Sequence, residues 1–392
     1  MKILFLSRWF PYPTNNGSKL RIYNLLRGLS KHHAVSLLSF ADQPDVSPEA
    51  PEIQSICSDV QVVPWREFDP NSTRAKLGFL SLKPRSIIDT FSPEMAQAIT
   101  QTLNKQKYDL VIASQLQMAA YYPYFQNIPA LFEEMEIGLI HGQANATADK
   151  VQRLRHAFTW FKLRMYLSQL LKSFQAVTVV SEQEQKLITQ TFPYVKNVQV
   201  LPNCMNMDDY KDIHAEVKSN TLVFTGSFRY HTNYEAMVWF VGKVFPLILE
   251  RIPDAQLIIT GEHANLPLPS NQHVTLAGYV DDIKSLIAAS TVAIAPLWSG
   301  GGTRLKILEA MAIGTPVVAT TKGAEGLDAK TGEHLFIEDD PGKFAECVIN
   351  LLIDERLRQV MASKANDLVH EKYDWGGVMP SLLSLVERIS GD

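Results

Sequence analysis

The sequence predicts an α/β protein of two doubly wound, Rossmann-like parallel-sheet domains facing across a cleft. Three observations predict it. Short apolar or β-branched runs alternate with longer helical patterns. The runs are almost continuously apolar, as strands covered on both faces require. The alternation then restarts after a polar interval, "NCMNMDDYKDIHAEVKSN" (203–220), which reads as a linker.

The first set opens with "KILFLS" (2–7), a buried strand. "GSKLRIYNLLRGLSK" (17–31) follows as a helix with Leu20, Tyr23, Leu26 and Leu29 toward one face. Strands are expected at "AVSLLSF" (34–40), "VQVVPW" (60–65), "YDLVIAS" (108–114), "PALFEEM" (129–135), "AVTVVS" (176–181) and "VQVLPN" (198–203). The second set is "TLVFTG" (221–226), "AQLIITG" (255–261), "VTLAGYV" (274–280), "VAIAP" (292–296), "PVVAT" (316–320) and "HLFIED" (334–339). These sets place one domain at 1–203 and another at 204–373. The tail, 374–392, is expected as a helix after a Gly-Gly break. By analogy with other two-domain proteins, it packs back on the first domain.

The 392 residues suffice for two or three domains. A net charge of -4 gives no electrostatic reason for nucleic acid binding. Cys57, Cys204 and Cys347 are too scattered for a zinc site or a disulfide framework, as in a cytosolic protein. No run reaches the length of a membrane span, and "MKILFLSRWFPYP" reads as a first strand rather than a leader. The expected localisation is cytoplasmic, with peripheral contact at the inner membrane face as a further option. That option rests on "VQRLRHAFTWFKLRMYLSQLLKS" (151–173), a basic amphipathic stretch without acidic residues. A long helix packed on the sheet, with its cations reaching to solvent, is the competing reading.

The stretch that carries chemistry is "PLWSGGGTRLKILEAMAIGTPVVAT" (296–320). A strand ends at a glycine-rich turn, and Thr303 is a suitable cap for the helix that follows. Gly300, Gly301 and Gly302 let a ligand approach the backbone. The helix start offers unpaired N–H groups and partial positive charge, an anion site. Arg304 and Lys306 add cations there. Glu309, two turns in, accepts hydrogen bonds only and suits a sugar diol. The combination reads as a nucleotide cradle. The residues alone also permit a structural turn with Glu309 paired to Lys306. A P-loop and a dinucleotide fingerprint are both absent.

"GGGTRLKILEAMAIGTPVVAT", with "VTVVSEQEQKLI", "VQVLPN", "LVFTGSF" and "LAGYVDDI" in order, resembles the retaining GT-B glycosyltransferases of the "group 1" type, along most of the chain. The resemblance implies transfer of a sugar from a nucleoside-diphosphate donor to a hydroxyl of a sugar, lipid-linked or protein acceptor. It implies anomeric retention, no metal and no separate cofactor. The donor sits mainly on the second domain and the acceptor on the first. Arg304, Lys306 and Glu309 are the implied catalytic group. Gly226, Ser227, Arg229, the Gly300–Thr303 turn, and Val280 with Asp281 are the implied donor contacts, with Gly17 from the first domain. Where the family has a first glutamate, Gly301 stands, and backbone N–H groups of Gly301 and Gly302 are expected to replace it. Ser227 and Thr232 stand near the family's Arg and Lys positions, with Arg229 or His231 as substitutes in a shifted register. On the acceptor side, Asn16 and the acidic strand end with Glu134 and Glu136, followed by His141, are candidates. A solvated strand end, a surface histidine and, for Asp281–Asp282, a helix cap are the plain alternatives. An epimerase of the same architecture and a non-catalytic nucleotide-sugar binding protein are the competing functions.

Overall fold

In a computed structural model, every residue is described except 15, 44–45, 147–149, 301–303 and 392, together with the side chains of 145–146. The chain divides into two units, residues 1–202 with 379–392, and residues 203–378.

The first unit is a parallel sheet of β1 (Lys2–Ser7), β2 (Ala34–Ala41), β3 (Asp59–Pro64), β4 (Leu110–Ser114), β5 (Ala130–Glu133), β6 (Ala176–Val179) and β7 (Val198–Val200). Their order is β3-β2-β1-β4-β5-β6-β7. β1 is therefore an interior strand, paired with β2 from Lys2↔Ala34 and with β4 from Ile3↔Leu110. The winding reverses between β1 and β4. Leu4, Leu6, Phe40, Val111, Phe132 and Val177 fill the interior on one side of the sheet. The continuous apolarity of these strands reflects this two-sided cover.

The Gly17–Ser30 helix packs with Ile22, Leu25, Leu26 and Leu29 inward. The expected face is rotated, because Leu20 and Tyr23 are only half-buried while Lys19 and Arg21 are fully buried. Both cations have acidic partners inside the unit, which is what makes their burial tolerable. The tail helix, Trp375–Ser390, runs through Gly376 and Gly377 rather than starting after them. Its Met379 lies where a side chain on Gly28 would stand, so Gly28 is what lets these two helices approach.

The second unit holds β8 (Lys218–Thr225), β9 (Gln256–Thr260), β10 (Val274–Gly278), β11 (Ser290–Ala295), β12 (Val317–Ala319) and β13 (Phe336–Ile337), in the order β10-β9-β8-β11-β12-β13. This is again a doubly wound sheet, with its reversal between β8 and β11. The interval expected as a linker is partly core. Met205, Met207 and Tyr210 are buried with Ile307, Leu308, Met311 and Tyr373. Met205 is pinned by backbone bonds to Tyr373 (2.7 Å) and Trp375 (2.9 Å). Polar neighbours masked three apolar side chains that pack as an element would. Among the described residues, no helix is long and apolar enough to cross a membrane.

Candidate functional site

In open α/β sheets, ligands bind beyond the carboxyl ends of the strands where the winding reverses. In the second unit that point lies between β8 and β11, so the turns at Gly226 and Gly300 are neighbours. Gly226 has φ +150, and a side chain there would meet Asn233 Nδ2 at 2.7 Å and Lys306 Nζ at 2.9 Å. Only glycine leaves the space before these groups open. Gly300 has φ +98 and faces the Arg304 guanidinium at 3.1 Å in the same sense.

The helix after the glycine-rich turn is Leu305–Ile313, and Arg304 occupies its cap position without a side-chain cap. The expected cap, Thr303, and the expected backbone donors, Gly301 and Gly302, lie outside the described residues. Arg304 donates to the carbonyls of Gly300 (3.0 Å) and Lys322 (3.3 Å), so it braces the turn it follows. Lys306 donates to Asn233 Oδ1 at 2.9 Å and lies 4.2 Å from the centre of the Phe224 ring. Burial, with a smaller contribution from the Arg304 charge, pulls its pKa down to about 7.

Glu309 does not pair with Lys306, which points instead to Asn233. It accepts a hydrogen bond from Tyr210 Oη at 3.2 Å. Burial raises the Glu309 pKa, opposed by the Tyr210 hydrogen bond and the Lys284 charge. Burial and the adjacent Glu309 charge raise Tyr210 as well. Lys284 sits 4.1 Å over the Tyr210 ring and donates to the Asp209 carbonyl at 2.9 Å. A carboxylate has about four acceptor positions, so one phenol leaves it able to accept ligand hydroxyls.

The remaining donor-side candidates are dispersed. Arg229 is exposed and ion-paired with Glu262, and His231 pairs with Glu235 at 3.2 Å. Ser227 donates to the Glu262 carbonyl at 3.1 Å, while its own carbonyl holds Asn233 Nδ2 at 2.8 Å. Val280 is half-buried and Asp281 exposed. Asp282 caps the Ile283–Ala288 helix by accepting from the Ser285 N–H at 3.0 Å, the plain reading of that acidic pair.

In the first unit, buried charge gathers beyond β4 and β5. Arg21 Nε donates to Glu133 Oε1 at 2.8 Å, and Ser114 Oγ to Glu133 Oε2 at 2.7 Å. Arg21 also donates to the carbonyls of Leu201 and Pro202, both at 3.0 Å. Lys19 pairs with Asp42 at 2.9 Å. Glu134 has φ +56 and Gln115 φ +67, left-handed backbone that non-glycine residues rarely adopt. The two strained residues are joined, Gln115 Nε2 donating to Glu134 Oε2 at 2.8 Å. Burial, and then the neighbouring Glu133 charge, push the Glu134 pKa up to about 8.

Glu136 is exposed, and His141 is half-buried, edge-on to Trp160 at 5.1 Å. Asn16 caps the Gly17–Ser30 helix by accepting from the Lys19 N–H at 3.0 Å, and Gly17 is its exposed first residue. Sequence reading missed Arg21, Gln115, Tyr210 and Asn233. The one signal for Arg21 was a cation at helical spacing from Leu25 and Leu29. The other three looked like ordinary surface polarity.

Residues 219–354 match the family described as glycosyl transferases group 1. A protein of Klebsiella pneumoniae described as an uncharacterized 44.6 kDa protein in the cps region is 22% identical, over 97% of this chain and 98% of its own length. A phosphatidyl-myo-inositol mannosyltransferase of Mycolicibacterium smegmatis is 29% identical over 44% of this chain and 46% of its own length. The chain thus spans about half the length of the mannosyltransferases it matches. The sucrose-phosphate synthase of Thermosynechococcus elongatus superposes over the full length of both chains, with a TM-score of 0.71 at 16% identity. HepE of Anabaena, solved with UDP and glucose, superposes over 99% of both chains, with a TM-score of 0.69 at 15% identity. The two doubly wound units are the GT-B fold, and the segment 219–354 is similar to the group 1 glycosyl transferases.

Proposed function

We propose that this protein is a retaining glycosyltransferase that moves a sugar from a nucleoside-diphosphate donor to an acceptor hydroxyl without a divalent metal. One observation carries the reading. Two glycine turns, two cations and a tyrosine-bound carboxylate follow strands at the winding reversal of the second unit, the part that matches the family. The diphosphate is assigned to Arg304, Lys306 and the helix start, and a ribose diol to Glu309. The neighbour solved with UDP and glucose supports a nucleotide-sugar donor. An inositol phospholipid, with its free ring hydroxyls, is the acceptor class that the mannosyltransferase names favour.

In the proposed step the C1–oxygen bond of the donor breaks and its electron pair leaves on the diphosphate. Positive charge develops on the sugar while negative charge grows on the leaving group. Fixed donors aimed at that charge are typically worth about 3 kcal/mol each. The acceptor oxygen bonds to C1 on the face the diphosphate leaves, and its proton passes to the departing phosphate. Glu134 and Glu136 are the proposed acceptor-side carboxylates, and Glu134 in its neutral form is a hydrogen-bond donor to a sugar hydroxyl.

The test is a thermal-shift screen with nucleoside diphosphates and their sugars, since a ligand held only by the folded chain raises Tm. It is followed by turnover with a candidate acceptor, with and without EDTA, and NMR of the product anomer. Arg304→Ala is expected to lower turnover by roughly two orders of magnitude with the fold intact. No shift with any nucleotide rejects the donor site. Isomerised donor in the absence of acceptor identifies an epimerase, and binding without turnover identifies a non-catalytic binding protein.

A further inference from the structure

On the Lys150–Leu170 helix, Val151, Leu154, Phe158, Phe161 and Met165 recur at alternating spacings of three and four, which aligns them along one stripe. The stripe faces outward: the five are 78%, 73%, 52%, 53% and 38% exposed. The helix is anchored by other residues, Leu163, Tyr166, Leu167 and Leu170, which are buried in the core of the first unit. Packing against the sheet therefore accounts for the second half of this helix and leaves its apolar stripe uncovered.

A second segment, distant in sequence, extends that surface. Leu77, Phe79, Leu80 and Leu82 are 62%, 56%, 91% and 49% exposed. The buried Lys162 holds this segment on the helix, donating to the carbonyls of Gly78 (2.7 Å) and Phe79 (3.4 Å). The same ammonium lies 5.8 Å from the Phe158 ring centre, so the two apolar surfaces meet at that lysine. Arg85 stacks on Phe79 at 3.9 Å and keeps a cation at the edge.

Charge selects the occupant. Residues 71–88 and 150–173 together hold ten Lys or Arg and no Asp or Glu, in a chain whose net charge is -4. A second copy would set this cationic surface against its like, which opposes pairing through the stripe. An anionic lipid surface complements it, attracting clustered cations while accepting apolar side chains at the headgroup boundary. We propose that the Lys150–Leu170 helix and the 77–82 segment form a docking face that seats the chain on an anionic membrane, its stripe in the interface and its cations against lipid phosphates. Fifteen residues of helix run about 22 Å in the plane of such a surface.

The test is co-sedimentation of the full chain with phosphatidylglycerol–phosphatidylcholine vesicles and with phosphatidylcholine vesicles, at low and high salt. Binding to the anionic vesicles, weakened by salt, is expected. Arg153→Gln with Arg155→Gln should lower partitioning by roughly fivefold per cation. Leu154→Glu with Phe158→Glu, and separately Leu80→Glu, should lower it at least tenfold, with circular dichroism and Tm confirming that each variant folds. No donor or acceptor is needed, so the result is independent of the proposed glycosyl transfer. Absence of anionic-vesicle binding at low salt overturns the proposal, as does binding that the apolar substitutions leave unchanged. A concentration-dependent dimer abolished by the same substitutions overturns it in favour of a second copy of this chain.

Discussion

Lys306 Nζ and Asn233 Oδ1 stand 2.9 Å apart, joining the helix after the glycine-rich turn to the helix after β8. The contact bridges the two turns that flank the winding reversal, beside Gly226. It holds a cation within a largely apolar wall, and Phe224 lies under it. Such a lysine has little to stabilise its charge until an anion arrives.

Under the proposed donor role, nucleotide binding should therefore depend on pH through Lys306. With a pKa of about 7 in the free protein, the charged form is lost as pH rises. A bound diphosphate favours that charged form, so binding takes up a proton. Affinity for the cognate nucleoside diphosphate is expected to fall between pH 6 and pH 9. Calorimetry in buffers of different ionisation enthalpy reads the proton uptake. Lys306→Met should bind weakly with a flat pH profile, and an unchanged slope in that variant removes Lys306 from the site.

The same residue sets a stability trade-off. Its folded pKa lies below the ordinary lysine value of 10.5, so between about pH 7 and 10.5 the unfolded chain binds more protons. Stability then rises with pH across that window. Lys306→Met should raise Tm at neutral pH while lowering turnover by an order of magnitude or more. Differential scanning calorimetry at pH 7 and pH 10, with wild type alongside, measures it; a lower Tm at pH 7 contradicts the account.

Arg21 and Glu133 form a buried pair, side chains 1% and 0% exposed, completed by Ser114 and two carbonyls. Removing one partner of a buried pair leaves an uncompensated charge and typically costs about 3–5 kcal/mol. Arg21→Met should show that loss in denaturant titration, and Arg21→Met with Glu133→Leu should recover a large part of it. A loss under 1 kcal/mol in the single variant rejects the pair as a structural anchor.

Glu134 is held protonated into the neutral range, with its pKa up to about 8. The folded chain thus binds the extra proton between about pH 5 and pH 8, and this group's contribution to stability falls as pH rises through that window. Glu134→Gln should flatten that part of the stability curve. Under the proposed acceptor role it should also lower kcat and shift the alkaline limb of the rate profile. Flattened stability with an unaltered rate profile confines Glu134 to structure.

The alternation of apolar runs and helical patterns determined the thirteen strands of the described residues and both doubly wound sheets, because a strand buried on two faces has few ways to be written in residues. The motif at 296–320 likewise put Arg304, Lys306 and Glu309 within the first two turns of one helix, since residues close in sequence stay close along a helix start. Tertiary structure decided their partners. Tyr210 reaches Glu309 from an interval that reads as a polar linker, Asn233 reaches Lys306 from the neighbouring crossover, and Arg21 finds Glu133 across 112 positions. It also decided that Arg229, close in sequence to the Gly226 turn, turns to Glu262 on the surface. Periodicity records which face of one element is apolar. The meeting of two polar side chains depends on how separate elements wind together, and no local pattern encodes that.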